Sequence, residues 1–142
     1  MEIIRRARLN DAKSINLLSL HMGYGRTSDD IAIERLKCLL NSVNDCVWVF
    51  EDESRLIGWI HVFKAYRVAS SAFHEIGGLV VDSKFRKKGI GRKLVEFIAK
   101  ESQVQGIKLR VRCNAQRQET HPFYLKTGFT NTKTQYVFER SL

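Results

Sequence analysis

The 142 residues carry 24 Lys and Arg against 15 Asp and Glu, a net charge of +9, with 44% hydrophobic and 10% aromatic residues and one proline. At about 100–200 residues per domain this length predicts a single domain, 1–142, with a real core, and the aromatic content excludes a disordered chain. No apolar run approaches the roughly 18 residues that span a bilayer, and Met1-Glu2-Ile3-Ile4-Arg5 lacks a signal-peptide profile, so a soluble cytoplasmic protein without a membrane partner is expected.

Residues 2–8 read as a first strand through Ile3, Ile4 and Ala7. Asn10 can cap a helix in which Ala12, Ile15, Leu18 and Met22 recur at helical spacing, and Gly23-Tyr24-Gly25 breaks it. Ser28 or Asp29 can cap a second helix with Ile31, Leu36, Leu39, Leu40 and Val43 mostly on one side. Cys46-Val47-Trp48-Val49-Phe50 is a run of β-formers. After the polar turn 51–54, β character resumes over 56–66, which predicts a hairpin. A further strand covers 73–81 and holds Gly77-Gly78, a signature of a bulge or of a close approach to the backbone. A third helix opens at Gly89 or Ile90, buries Leu94, Val95 and Ile98, and stops at Gly106. In 107–113 Ile107, Leu109, Val111 and Cys113 alternate with Lys108, Arg110 and Arg112, a strand with one basic face. A short helix holds Phe123-Tyr124-Leu125, with Pro122 tolerated in its first turn. Gly128 ends it, and 129–140 supplies one or two closing strands. The order is that of a mixed α/β domain without repeats or a linker.

The charge is uneven. Residues 1–71 carry 10 basic and 9 acidic side chains, whereas 72–142 carry 14 and 6. The densest point is Lys84-Phe85-Arg86-Lys87-Lys88-Gly89-Ile90-Gly91-Arg92-Lys93, directly after an apolar strand and at the start of a helix. A helix N-terminus offers unpaired N–H donors and about half a positive charge, and glycines leave those donors accessible. These parts make an anion site, most naturally a pyrophosphate cradle. A dinucleotide fingerprint would need glycine at Leu94, and a P-loop needs a Gly-Lys pair that the chain does not contain. Cys38, Cys46 and Cys113 are scattered and read as small buried or half-buried side chains in a reducing compartment. With four dispersed histidines they hold no metal-site spacing, so no metal is expected.

The run Leu79-Val80-Val81-Asp82-Ser83-Lys84-Phe85-Arg86-Lys87-Lys88-Gly89-Ile90-Gly91-Arg92 resembles the acyl-CoA signature of the GNAT superfamily of N-acetyltransferases, in which R/Q-x-x-G-x-G/A opens a helix after an apolar strand. The likeness extends over nearly the whole chain. Residues 4–15 look like the family's first strand and helix, Arg55-Leu56-Ile57-Gly58 like a β-turn and third strand, and Phe123-Tyr124-Leu125-Lys126-Thr127-Gly128-Phe129 like its closing helix and strand. Cys113-Asn114 with His121-Pro122-Phe123-Tyr124 resembles the branch of aminoalkylphosphonate and antibiotic acetyltransferases.

The resemblance implies a single-domain α/β fold: a mixed sheet of six to seven strands, flanked by about four helices and splayed after the fourth strand. It implies acetyl-CoA as co-substrate. Leu79, Val80 and Val81 would hold the pantetheine arm, and an N–H near Val80 or Val81 would meet the thioester oxygen. The amides of Lys87, Lys88, Gly89, Ile90, Gly91 and Arg92 would take the pyrophosphate, with Arg86 and its basic neighbours steering it. Tyr124 would be the general acid and Glu75 the general base, with His74 and His121 as rivals. The family's asparagine seven residues before the tyrosine is Arg117 here, so Asn114 is carried over to the cofactor. Tyr24, Trp59, His61 and Tyr66 are candidates for the acceptor pocket.

The implied reaction moves an acetyl group to a primary amine of a small molecule by direct attack, with no covalent enzyme intermediate and no nucleic-acid partner. A homodimer formed through terminal strands is a further expectation of the resemblance. The alternatives are a peptide or protein amine acetyltransferase, a basic nucleic-acid-binding domain and a non-catalytic acyl-CoA sensor.

Overall fold

Capping and periodicity account for most element boundaries in the computed structural model, which describes residues 1–20 and 27–142. Strand β1 (Glu2–Arg6) leads into a single 3-10 turn at Leu9–Asp11 and helix α1 (Ala12–Ser19). The Arg8 N–H donates to Asp11 Oδ2 at 2.7 Å, so an aspartate and not Asn10 anchors this start. Ser28 caps α2 (Asp29–Asn41) by accepting from the Ile31 N–H at 3.2 Å. Strands β2 (Asp45–Asp52) and β3 (Arg55–Ala65) form the expected hairpin. Its two turn residues, Glu53 and Ser54, have φ of 50° and 62°. This is the double left-handed turn whose twist matches the flanking strands. Strand β4 (Phe73–Val81), helix α3 (Ile90–Val104) and a short β5 (Leu109–Val111) follow. Gly106, at φ 69°, lets the chain leave α3.

The described residues fall into two compact units, Met1–Arg112 and Cys113–Leu142. The first holds a five-stranded sheet in the order β1-β2-β3-β4-β5, antiparallel except for the parallel β4–β5 pair. Helices α1 and α2 cover one face, where Ala7, Ala12, Leu36, Val47 and Val49 form a buried cluster flanked by Ile15, Ile33 and Trp59. Helix α3 covers the other, packing on β3 and β4, with Phe97 edge-on to Trp48 at 4.7 Å. Leu94 and Val95 are fully buried, as are Ile60 and Val49 in the sheet. Alternation along β2 separates Val47 and Val49 from Trp48 and thus defines the two faces.

The second unit contains α4 (His121–Lys126), with Pro122 in its first turn, and ends it at Gly128 with φ 99°. The expected closing strands do not form: residues 129–142 carry no strand, and the sheet has five strands among the described residues in place of six to seven. Tyr136, Val137 and Phe138 are exposed to 88%, 81% and 91%. Among the described residues they have no ladder to receive their backbone donors and acceptors, and propensity without a pairing edge makes no strand.

The cysteines also depart from expectation. Cys38 and Cys113 are exposed and only Cys46 is half-buried; all three are free thiols. Burial raises the Cys113 thiol above its ordinary range. Among the described residues no helix is long and apolar enough to cross a membrane, and no group of His, Cys, Asp and Glu could hold a metal ion.

Candidate functional site

Strand β4 pairs with β3 along its whole length but with β5 only at His74, Glu75 and Ile76. Residues 77–81 therefore run past the last rung of β5, and their β5-side edge carries no strand among the described residues. Leu79, Val80 and Val81 lie in this stretch. Val80 is 1% exposed, and its carbonyl would sit 3.1 Å from a Cβ added at Gly58. Unpaired backbone groups at such an edge remain available to an extended ligand.

The edge leads into the basic loop. The Asp82 N–H bonds back to the Ile57 carbonyl at 2.8 Å, and the Asp82 side chain accepts from the Lys84 N–H at 3.0 Å and from Arg55 at 3.3 Å. Asp82 thus folds residues 82–85 into a 3-10 turn. Lys87 and Gly89 then take φ of 65° and 79°, and Gly89 occupies the cap position of α3 without any side-chain cap. The first intrahelical bond there runs from the Lys93 N–H to the Gly89 carbonyl at 3.0 Å. The amides of Ile90, Gly91 and Arg92 precede it and open outward. A Cβ built on Gly89 would meet nothing within 4 Å, so space lies over the helix end. Lys87, Lys88 and Arg92 are exposed around it, Lys88 resting over Phe85 at 5.3 Å and Arg92 lying 4.0 Å from Glu96. Arg86, also exposed, begins the run of four residues that turns into this cap.

On the α1/α2 face, the two consecutive glycines of β4 form a bulge opposite His61. An added Cβ would lie 2.6 Å from His61 Nδ1 at Gly77 and 2.8 Å from the Trp59 ring at Gly78. Both sequence readings of Gly77-Gly78, bulge and close approach, hold together: the glycines leave room for two rings. Directly paired antiparallel residues share a face, so Glu75, opposite Phe63, lies on the same side as His61 and Trp59. Glu75 is 8% exposed and accepts from Arg112 Nε at 3.2 Å. Trp59 Nε1 is buried with no hydrogen-bond partner among the described residues, an arrangement that costs about 1–3 kcal/mol.

His74 points the other way. Its Nδ1 meets Ser102 Oγ of α3 at 2.8 Å, and burial, reinforced by Lys64, lowers its pKa. It packs against α3, on the sheet face opposite Glu75. Tyr66, in the loop after β3, is 62% exposed with Lys64 over its ring at 5.2 Å. Tyr24 lies outside the described residues.

In the second unit, Tyr124 sits on α4 between Phe123 and Phe129, whose rings meet it edge-on at 5.1 and 5.7 Å. Asn114 is exposed and its Oδ1 accepts from the Gln116 N–H at 2.9 Å, while its carbonyl accepts from the Arg117 N–H and from His121 Nε2. Asn114 thus spends its side-chain oxygen on shaping the turn before α4.

Sequence reasoning missed Arg112 as the partner of Glu75. It also missed Asp45 and Ser42, which reach the site through His61: His61 Nε2 donates to Asp45 Oδ1 at 2.7 Å, and Ser42 Oγ donates to Asp45 Oδ2 at 2.6 Å. Sixteen residues separate Asp45 from His61, and only the hairpin register brings them together.

Residues 43–131 match the family described as the acetyltransferase (GNAT) domain. No curated protein matches the chain by sequence. Among solved structures, the fold is similar to a transcriptional regulator from Bacillus halodurans C-125, with a TM-score of 0.87 and 17% identity over 99% of this chain and 100% of that one. It is also similar to glucosamine-6-phosphate N-acetyltransferase from Arabidopsis thaliana, with a TM-score of 0.84 and 21% identity over 99% of each chain. An aminoglycoside acetyltransferase from an uncultured soil metagenomic sample gives 0.82 and 24% identity over 99% and 96%. The family match spans the open β4 edge, the glycine loop and α4 together, and the chain belongs to the GNAT acetyltransferase family.

Proposed function

We propose that this protein transfers the acetyl group of acetyl-CoA to the primary amine of a small molecule by direct attack. One observation carries the reading: the free stretch of β4 over residues 77–81 runs without a break into an uncapped, basic helix start at Gly89. The donor set suits a CoA thioester. Backbone N–H groups at Ile90, Gly91 and Arg92 match a diphosphate, and the open space over Gly89 admits it without displacing a side chain. Because the Asp82 N–H bonds to Ile57 on β3, alternation turns the backbone groups of Val80 towards Trp59 and those of Leu79 and Val81 towards the open edge, where they match a pantetheine arm lying as an added strand.

Acetyl-CoA, when bound, supplies the activated acyl group. The residues do the rest. The Val81 N–H, on the open edge, donates to the thioester oxygen and stabilises the negative charge that develops there. Arg86, Lys87, Lys88 and Arg92 raise the local potential and draw the anion in. Tyr124 donates a proton to the departing thiolate, since a phenol remains protonated at pH 7. Glu75 places a carboxylate on the face where the amine enters, beside Trp59 and His61. The amine must arrive there neutral or lose its proton on that face, because an ammonium has no lone pair.

The acceptor class rests on likeness alone: solved neighbours include acetyltransferases of aminoglycosides and of glucosamine-6-phosphate. An acceptor screen that follows free CoA release tests the reading. It includes aminoglycosides, amino sugars and their phosphates, aminoalkylphosphonates, polyamines and peptide N-termini. Release with one small amine supports it. Release only with peptides moves the acceptor class, and tight acetyl-CoA binding with no release makes the protein a sensor. We also propose a homodimer in which residues 129–142 pair with a second copy, supported by the exposed Tyr136, Val137 and Phe138. Light scattering of the full chain and of one ending at residue 130 tests it.

A further inference from the structure

We infer that His61, held by Asp45, is the general base that takes the proton of the acceptor amine, in place of Glu75. The inference rests on the acetyltransfer reading above and names a residue for its missing proton step.

The two candidates differ in their surroundings. Glu75 is 8% exposed, and one of its oxygens is occupied by the Arg112 guanidinium at 3.2 Å. A proton reaching that carboxylate would dismantle an ion pair. His61 has the opposite arrangement. The Asp45 carboxylate can only accept, so His61 Nε2 carries the hydrogen of the 2.7 Å bond. In the neutral ring Nδ1 then holds the lone pair. That nitrogen makes no hydrogen bond among the described residues and lies against the Gly77 backbone, where a Cβ would come within 2.6 Å. Ser42 fixes the second oxygen of Asp45 at 2.6 Å, which sets the carboxylate plane and through it the imidazole. A carboxylate that orients an imidazole and stabilises its charged form is the physical basis of base catalysis by histidine.

The glycine bulge completes the argument. Side chains at positions 77 and 78 would expel the rings of His61 and Trp59 from the β4 surface. Their absence lets the imidazole reach over the strand that also provides Leu79, Val80 and Val81, one to three residues beyond His61's partner Gly78. Beyond Asp45, Glu75 and Arg112, Arg110 and Arg67 stack over Phe73 at 4.2 and 5.1 Å, and Arg5 is paired with Asp11 and Glu51 at the far side of this face. Lys13 of α1 is exposed, and the charged side chains of α2 are all on its solvent side.

The step balances. The ammonium passes one proton to His61 Nδ1. The freed nitrogen lone pair forms the C–N bond as the C–S bond breaks. The second amine proton leaves with the thiolate by way of Tyr124, and His61 returns its proton to solvent.

The experiment compares wild type, His61→Gln, Glu75→Gln and Asp45→Ala in pH–rate profiles of kcat/KM, with acetyl-CoA affinity measured for each. Nitrogen-15 NMR of the wild-type imidazoles supplies a readout independent of turnover. We expect His61 to be protonated at Nε2 and bare at Nδ1. We expect His61→Gln to lower kcat/KM by about 100-fold or more and to lose the acid limb of the profile, with acetyl-CoA affinity unchanged. Asp45→Ala should lose less, and Glu75→Gln should keep the limb. Three results overturn the inference: a proton on Nδ1, an intact limb in active His61→Gln, or loss of the limb in Glu75→Gln alone. These leave acetyl transfer standing. Wild type that binds acetyl-CoA but releases none with any amine overturns both.

Discussion

Replacing Gly89 tests the phosphate cradle most directly, because two substitutions there separate backbone strain from charge. Gly89 sits at φ 79°, and its added Cβ would touch nothing within 4 Å. Gly89→Ala therefore costs only the left-handed backbone, about 1–2 kcal/mol. Gly89→Asp carries a similar strain and adds one negative charge over the open amides of Ile90, Gly91 and Arg92. A carboxylate about 5 Å from a phosphate, at an effective dielectric constant near 20, opposes it by about 3 kcal/mol, and surface screening reduces this to about 1.5–3 kcal/mol. That range is roughly 10- to 100-fold in Kd. Calorimetric titration of CoA into wild type and both variants, with thermal unfolding as the control, reads the two terms apart. Both variants should lose similar stability, and only the aspartate should lose affinity steeply. If Gly89→Asp binds CoA within about threefold of Gly89→Ala, the diphosphate does not lie on this helix end.

Tyr124→Phe keeps the edge contacts with Phe123 and Phe129 and should bind acetyl-CoA normally while kcat falls about 100-fold or more; normal turnover removes the phenol as the acid. Leu94→Ala opens a void at a fully buried site packed towards Gly58 and should cost about 2–5 kcal/mol in urea unfolding, and a loss below 1 kcal/mol contradicts the packing described. For Asp11, burial alone would raise the carboxyl pKa, but hydrogen bonds from Arg5 and the Arg8 N–H outweigh it and hold the group below the usual range. A depressed folded value means the stabilisation is present above about pH 4 and is lost as pH falls through it. Asp11→Asn should thus cost about 1.5–3 kcal/mol at pH 7 and progressively less as pH drops below 4, and a pH-independent gap would refute the assignment.

Local signals carried the elements whose stability is local. Ser28 before α2, Pro122 and Gly128 around α4, and Gly89 and Gly106 around α3 are legible because capping, proline geometry and left-handed backbone depend on the residues in place. The glycine loop after Leu79-Val80-Val81 was legible for the same reason, as helix donors and basic side chains lie within one short run. Propensity misled where pairing decides. Tyr136, Val137 and Phe138 look like a strand yet stay exposed, and the strand expected over 107–113 narrows to Leu109–Val111, where β4 offers rungs.

The amino-acid order alone determined a βααβββαβα chain with a basic, glycine-bearing turn at the start of its third helix, because turns, caps and alternation act over a few residues. Tertiary structure decided which titratable groups matter. Register across the β2–β3 hairpin brings Asp45 to His61, the bulge at Gly77-Gly78 makes room for the ring, and β5 delivers Arg112 to Glu75. Strand alternation then sends His74 to α3 and leaves Glu75 on the opposite face. Neighbours in sequence end up on opposite sides of a sheet, and partners far apart in sequence meet across it; charge balance and proton transfer follow those contacts, which the linear order does not contain.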